Sequence, residues 1–429
     1  MRISFVVHQA VKEGASLFML DQVDYLLSKG FTVFVILPRT GNLEDALKQR
    51  GVKTAIVPNP WWIKPRFTGT GDDHAKTLAS ARAIASVLRE WKIDVVYTET
   101  VVAPGGALAA ALAGLPHVWH IHEFAYNPTG IEMAIPKGEL ARLIDSTSNA
   151  VFFNSRAVAR DWEGLLPPQK TRIVYNWAPA RVELGDGNTK PKRDGYARDG
   201  AFNVTVVGSI LRLKRQMDAI RAVDALVREG LDVRLTVVGP VVDDTYQSEL
   251  EAFVKSSGLG DRIAFTGYSE NPRQFMREAD VALLCSETES FGRVTVEAMA
   301  EGIPVIGSNV GGTAEIIQHE VNGLLFPVED VASLSKSVRR LLEDTELRKR
   351  LSAGALERAR DFQNPEAIMA PVIALLEKLV GEKNPASPVA DLIGTGLLAM
   401  NVPSPAPPAE ARPKRISVDR VKRAIRRLW

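Results

Sequence analysis

The chain runs twice through the same alternation, a short apolar segment followed by one with helical periodicity. "RISFVV", "FTVFVIL", "KTAIV", "DVVYTE", "HVWHI", "AVFFN" and "RIVYN" belong to the first run; "FNVTVVG", "VRLTVVG", "RIAFTG", "DVALLC" and "IPVIG" belong to the second. Short apolar runs of this kind are strands buried on both faces, and joining them through helices makes a parallel sheet. The helix signals agree, as where the pattern from Leu17 to Ser28 stops at Gly30. Between the two runs lies "ELGDGNTKPKRDGYARDGA", polar and rich in glycine and charge, which reads as a linker. The fold class is therefore α/β, with two Rossmann-like doubly wound domains facing across a cleft. Such sheets bind ligands beyond the carboxyl ends of their strands, and an interdomain cleft commonly holds a substrate.

On this reading 1–183 is the first domain, 184–201 the linker, 202–363 the second domain, and 364–383 a helix expected to pack back towards the first. A Pro/Ala-rich flexible segment, 384–416, then leads to a basic amphipathic helix, 417–429, with Val418, Val421, Ile425, Leu428 and Trp429 on one stripe. From Arg412 to Trp429 eight basic residues face one acid, Asp419, which puts +7 on the tail and leaves −5 on the rest of a chain of net charge +2. An anionic membrane is one surface that suits this tail; a protein partner or plain solvation is the alternative. Nucleic acid is not expected, because the basic cluster stands apart from any nucleic-acid-binding pattern. The single cysteine, Cys285, excludes an intrachain disulfide. The opening "MRISFVVHQA" is too short an apolar run for a signal peptide. The uncharged stretch between Glu99 and His117, with Pro104, Gly105 and Gly106, reads as a buried helix and not a membrane span. The expected location is cytoplasmic, with the tail able to bring the chain to the inner face of a membrane.

"SETESFG" follows "DVALLC" at the carboxyl end of a strand. Glu289 falls in this loop and Glu297 early in the next helix, which closes at Gly302 with Pro304 beyond; both can face the same cleft. A carboxylate accepts from two hydroxyls at once, which suits the vicinal diols of a sugar or ribose. The backbone N–H groups of Ser290, Phe291, Gly292 and Arg293 stand at a helix start, open to an oxygen-rich ligand. Gly311 and Gly312 stand just before another helix, where glycine permits close approach. Spacing alone equally allows two carboxylates that only solvate a loop and a helix.

The whole stretch "SETESFGRVTVEAMAEGIPVIGSNVGGTAEII" resembles the signature of the retaining glycosyltransferases of family 4, which have the GT-B fold. The resemblance spans roughly residues 1–383. It implies transfer of a sugar from a nucleotide diphosphate sugar to an acceptor hydroxyl with retained configuration, in cell-surface polysaccharide or glycolipid synthesis. It also implies that Glu289 meets the hydroxyls of the transferred sugar and Glu297 the ribose. Where the family reads Gly-Arg-Leu and then Lys-Gly, "VVGSILRLKRQ" keeps Lys214 for the diphosphate but carries Ser209 for the Arg and Arg215 for the Gly. Arg212 is the candidate replacement charge. Gly14 matches the glycine whose amide approaches the donor phosphate, although Glu13 stands where a second glycine is usual.

In "VWHIHEF", His122 matches the family's histidine near the sugar, with Glu123 beside it. His120 reads as a core histidine, on the premise that the two histidines alternate across the pleat and only one points into a given face. No third ligand follows at metal-like spacing, and the resemblance implies no bound metal, so no cofactor beyond the donor is expected. Acceptor-side candidates are Trp61 and Trp62, next to Lys64, Arg66 and Phe67, for stacking on a saccharide or lipid-linked acceptor; a packed loop is the alternative. A GT-B sugar-nucleotide epimerase and a non-catalytic nucleotide-sugar-binding scaffold share the expected fold.

Overall fold

The computed structural model describes residues 1–12, 14–64, 71–125, 131–178 and 200–385. One sheet contains β1 (Arg2–Val6), β2 (Thr32–Leu37), β3 (Lys53–Ile56), β4 (Val95–Glu99), β5 (His117–Ile121), β6 (Ala150–Phe153) and β7 (Thr171–Ile173), in the order β3-β2-β1-β4-β5-β6-β7. A second contains β8 (Phe202–Val207), β9 (Val233–Val238), β10 (Ile263–Gly267), β11 (Val281–Leu284), β12 (Val305–Ser308) and β13 (Leu324–Phe326), in the order β10-β9-β8-β11-β12-β13. Every pairing within both sheets is parallel. Each order reverses once, between β1 and β4 and between β8 and β11. The loops at the carboxyl ends of those strands are where such a sheet binds ligands.

All twelve strands read from the sequence are present. The thirteenth, β13, is too short and too poor in β-branched residues to announce itself. It forms because its backbone pairs with β12, and Gly323 just before it lets the chain pass so close that a Cβ there would lie 2.8 Å from the Val305 carbonyl. Gly311 and Gly312 are the first two residues of the helix Gly311–Ile316, not the loop before it.

The chain divides into two compact units, one of Met1–Asn176 with the segment from Pro365, the other of Trp177–Asn364. In the first, β4 and β5 are buried along their whole length. The alanine-rich run forms the helix Gly105–Ala113. It lies close on β4 because Gly106 has no Cβ to strike the Thr98 hydroxyl. The helix Pro365–Leu379 is tied to this unit by Glu366, which accepts from the Tyr25 hydroxyl at 2.7 Å and from Lys29 Nζ at 2.5 Å. Beyond it the Asn384 amide donates to the carbonyls of Leu115 and Thr147, each at 3.0 Å.

In the second unit one apolar core joins β8, β9, β11 and the helices Gln216–Arg228 and Val331–Glu343. The side chains of Asp330 and Asp344 cap Val331–Glu343 and Thr345–Arg360, each satisfying an otherwise orphaned helix N–H. Among the described residues no helix is long and apolar enough to cross a membrane. Glu13, Arg66, Phe67, most of the linker, and the whole tail from residue 386, with its Pro/Ala-rich stretch and basic helix, lie outside the described residues.

Candidate active site

In the second unit the 3-10 turn Arg212–Lys214 follows β8. The Leu213 carbonyl accepts from the Glu287 backbone N–H at 2.8 Å, which lays this turn against the loop after β11. Lys214 Nζ then donates to Glu289 Oε2 at 2.7 Å, and the Ser286 hydroxyl donates to the same oxygen at 3.3 Å. The Lys214 and Glu289 side chains are 32% and 15% exposed, so the pair is only partly withdrawn from solvent and open to a ligand.

The two glycines Gly311 and Gly312 hold the Glu289 loop in place. The Gly312 N–H donates to the Glu289 carbonyl at 2.7 Å. A Cβ on Gly311 would collide with that carbonyl, and one on Gly312 with the Phe291 backbone. Gly292, left-handed at φ 91°, opens the helix Arg293–Ala300. A Cβ on it would lie 3.0 Å from the Thr295 hydroxyl and 3.3 Å from both Glu289 Cγ and the Thr313 hydroxyl. These two threonine hydroxyls are buried without a hydrogen-bond partner, so polar groups converge on the helix start. Phe291 is buried, edge-on to Phe362 at 5.6 Å; its side chain anchors the loop in the core. Ser290 is half-buried in the same loop. One turn into the helix, Glu297 accepts from Arg293 Nε at 2.8 Å.

Arg212 is not gathered to this pair. Its guanidinium bonds to Glu249, lies 3.7 Å from Asp243 and covers the Tyr246 ring at 5.2 Å, so its charge is committed to the helix Asp244–Ser256 and its cap. Arg215 is the residue in the left-handed conformation, φ 50° and ψ 42°. That backbone explains why the family's pattern has glycine there. The arginine is held in place by Asp218, at 2.7 Å and 3.3 Å, and by Glu329 at 2.7 Å.

In the first unit Gly14 opens the helix Gly14–Ser28 at φ 46°, with nothing within 4 Å of where a Cβ would stand. At the carboxyl ends of β4 and β5 a second group of polar residues is sealed from solvent. Glu99 pairs in register with His120. His122 Nε2 lies 2.5 Å from Glu99 Oε2, and His120 Nδ1 lies 2.9 Å from the Tyr97 hydroxyl. The two imidazole centroids are 4.0 Å apart. This corrects the expectation that the histidines divide between faces. Residues two apart on a strand share a face, and successive residues alternate. It also supplies what spacing along the chain did not: Glu99, from the neighbouring strand, brings a third donor atom within 4.8 Å of one from each histidine.

The electrostatics follow from burial and from Glu99. Burial opposes the charged form of His122, but the Glu99 carboxylate against it raises its pKa. Burial, then the charge of His122, draws His8 down to about 3. Burial raises the Glu123 carboxyl against the pull of His122 and two backbone N–H groups. One Glu123 oxygen accepts from the Val101 and His122 backbones, at 3.1 Å and 3.2 Å, which clips the loop after β4 to the loop after β5.

Trp62 needs a second correction. Its ring is buried in the core and its indole N–H donates to the Thr77 hydroxyl at 3.1 Å, so it has no face to offer an acceptor sugar. Trp61 is half-buried and donates to the His8 carbonyl at 2.8 Å. Sequence reasoning missed Glu99, Thr295 and Thr313. Only Glu99 carried a usable signal, as a carboxylate ending an apolar strand at the sheet's ligand-binding edge.

Two family models match the chain, "Glycosyltransferase Family 4" over residues 13–180 and "Glycosyl transferases group 1" over residues 189–358. Among curated relatives, N-acetyl-alpha-D-glucosaminyl L-malate synthase of Bacillus anthracis is 29% identical over 66% of this chain and 73% of its own. The UDP-Gal:alpha-D-GlcNAc-diphosphoundecaprenol alpha-1,3-galactosyltransferase of Escherichia coli is 24% identical over 80% of this chain and 88% of its own. Among solved structures, Anabaena HepE in complex with UDP-glucose superposes with a TM-score of 0.72 at 23% identity, covering 88% of this chain and all of its own.

Proposed function

The chain belongs to glycosyltransferase family 4, and on that premise we propose that it transfers a hexose from a nucleotide diphosphate sugar to an acceptor hydroxyl with retention of configuration. The observation that carries this reading is the Lys214–Glu289 pair, 2.7 Å apart at the carboxyl end of the second sheet, beside the start of the helix Arg293–Ala300. A lysine and a carboxylate that hold each other while partly exposed are ready to exchange partners. On donor binding Lys214 turns to the diphosphate and Glu289 to the sugar hydroxyls. Glu297 takes the ribose hydroxyls, still steadied by Arg293. The charge that develops on the departing diphosphate falls to Lys214 and to the positive end of the helix. The diphosphate leaves from the face the acceptor enters and accepts the acceptor's proton. Glu289 is thus a binding group for the transferred sugar and not a nucleophile flanking the bond as in a retaining hydrolase.

The resemblance implies that His122 lies near the sugar, but here its side chain is 4% exposed and held by Glu99, so it could meet the sugar only after leaving that partner; Trp61 is the aromatic left for the acceptor. We propose a saccharide or lipid-linked acceptor in surface polysaccharide or glycolipid synthesis. The E. coli relative, named for a diphosphoundecaprenol-linked substrate, and the basic tail both support it. Incubating the full chain with a panel of nucleotide sugars and acceptors, with nucleotide release and the anomeric configuration of the product followed by NMR, tests the reading. Acceptor-dependent release with a retained anomer is expected. Donor isomerisation without transfer makes the chain an epimerase, and donor binding without turnover makes it a scaffold. Anionic vesicles should sediment the full chain and leave behind one that ends at Pro403; equal sedimentation removes the tail from the proposal.

A further inference from the structure

The helix Pro365–Leu379 carries more apolar surface than its packing uses. It buries the stripe of Met369, Val372, Leu376 and Leu379. Beside that stripe Ala367, Pro371 and Ala374 follow one another at helical spacing and are exposed, and Lys378 continues the row. A helix at a surface ordinarily turns polar and charged residues to that side. Here the row looks onto the edge of the first sheet. β7 is the last strand in the order, and its Ile173 is 36% exposed. Between the helix and the strand lies a cavity of about 500 Å³, with Phe152 and Val174 in its lining, a size that holds a small ligand.

The charges at this cavity are of one sign. Arg172 and Lys378 line it and no acidic residue does. Among the described residues neither cation has a carboxylate partner. Arg172 donates from Nη1 to the carbonyls of Gln169 and Thr171, at 3.0 Å and 2.7 Å. That leaves Nε and Nη2, the side of a guanidinium that grips two oxygens of a phosphate. The same bonds argue against a peptide strand. The Lys170 carbonyl and the Val174 N–H bond to β6, so the Thr171 carbonyl between them points to the open edge, where Arg172 already covers it. The chain's own remaining segments suit the cavity no better. The linker is rich in glycine and charge, and the tail carries a net +7 that the two cations repel. An apolar cavity with two cations beside it fits an amphiphile, with the alkyl chain inside and an anionic headgroup on Arg172 and Lys378.

We propose that this groove of the first unit binds one acyl chain of an anionic phospholipid, the chain lying along Ala367, Pro371 and Ala374 and the phosphate held by Arg172 and Lys378. The site uses none of the residues assigned to the donor, the acceptor or the tail. The proposal is independent of the sugar-transfer reading, and its test does not use activity.

Lysophosphatidylglycerol, kept below its micelle concentration, is titrated into the full chain and followed by calorimetry. Lysophosphatidylcholine with the same acyl chain and glycerol phosphate serve as comparisons. Saturable binding of the first is expected, weaker binding of the second, and none of the third at the same concentration. Ala374→Trp fills the cavity and should abolish the binding. Arg172→Gln and Lys378→Gln should each weaken it by about 10-fold, the loss of one charge-assisted bond. Lys53→Gln, on β3 at the opposite edge of the sheet, should leave it unchanged. The tail is common to all these chains, so the differences between them read the groove. Arg172 and Lys378 are exposed, so their variants test the proposal even where Ala374→Trp fails to fold. Equal binding of the two lysolipids, unchanged binding in the groove variants, or no saturable binding overturns the proposal. So does tighter binding of farnesyl phosphate, which assigns the groove to an isoprenoid carrier. A dimer in sedimentation that Ala374→Trp dissociates assigns it to a second copy of the chain and overturns it as well.

Discussion

The two units place ionisable groups at the carboxyl ends of central strands, after β8 and β11 in one and at β4 and β5 in the other, and expose them differently. In the second unit Lys214 and Glu289 come from loops, are partly exposed, and are held by one direct bond. In the first unit Glu99 and His120 belong to central strands, His122 follows directly, and all three are sealed from solvent. A partly exposed pair separates at small cost, because water screens both charges, so its net contribution to folding is small. A sealed pair cannot separate without leaving a bare charge in the core. The same kind of contact is therefore free to open to a ligand in one unit and a constraint on the fold in the other, and the comparison can be broken by substitution.

The largest effect is expected in the sealed group. Glu99→Ala leaves His122 buried without its counter-charge, and losing one partner of a buried ion pair costs about 3–5 kcal/mol. Urea denaturation of the chain reads this out directly. Lys214→Ala in the same assay should cost under about 1 kcal/mol. Equal losses in the two variants would remove the distinction between the units.

Catalysis should show the reverse order for the partly exposed pair. Lys214→Ala and Glu289→Gln should each lower kcat by about 10²–10³ with the fold retained, the usual cost of removing one preorganised polar partner of the reacting groups. Because the two side chains hold each other at 2.7 Å, the double variant should lose far less than the product of the single losses. Multiplicative losses would mean that the pair does not act as a unit.

The two sites were also unequally legible in the sequence. The second unit's loop, helix and glycines lie within one continuous stretch, and the Gly311–Gly312 contact with the Glu289 loop is the physical reason those residues stand together. Lys214 was legible by position after β8, but the commitment of Arg212 to Glu249 was not, because a pairing between a turn and a later helix leaves no periodic trace. The strands were legible as apolar runs, except for β13, which owes its existence to pairing with β12. In the first unit the histidines were visible and their partner was not. Glu99 meets them through the register of β4 on β5, and strand neighbours are set by topology. The sequence allows Trp62 either to stack on the acceptor or to belong to a packed loop, and the packed loop holds; the Thr77 hydroxyl that satisfies its indole N–H lies in the next helix, out of reach of a local reading.

Glu297 should behave differently from its neighbour Glu289. On the proposed assignment Glu297 holds the ribose, and ribose contacts persist from the ground state to the transition state, so losing them weakens donor binding without slowing the chemical step. Glu297→Ala should raise KM for the donor about 10- to 100-fold, the cost of one or two charge-assisted hydrogen bonds, with kcat nearly unchanged. A fall in kcat as large as that of Glu289→Gln would place Glu297 on the reacting sugar instead.

The smallest effect sharpens the comparison at Arg215, where an ion pair and a backbone preference oppose each other. A non-glycine residue in the left-handed region costs about 1–2 kcal/mol. The bonds from Arg215 to Asp218, whose carboxylate is buried, contribute about 1.5–3 kcal/mol. Arg215→Ala removes those bonds and keeps the strain, so it should destabilise the chain by about 1.5–3 kcal/mol. Arg215→Gly removes both and should cost about 1 kcal/mol less than the alanine variant. The difference between the two variants in urea denaturation measures the strain, and their shared loss measures the ion pair. A glycine variant less stable than the alanine variant would mean that Arg215 is unstrained at φ 50°. The glycine of the family's pattern would then have to be explained by close approach of the donor and not by backbone conformation.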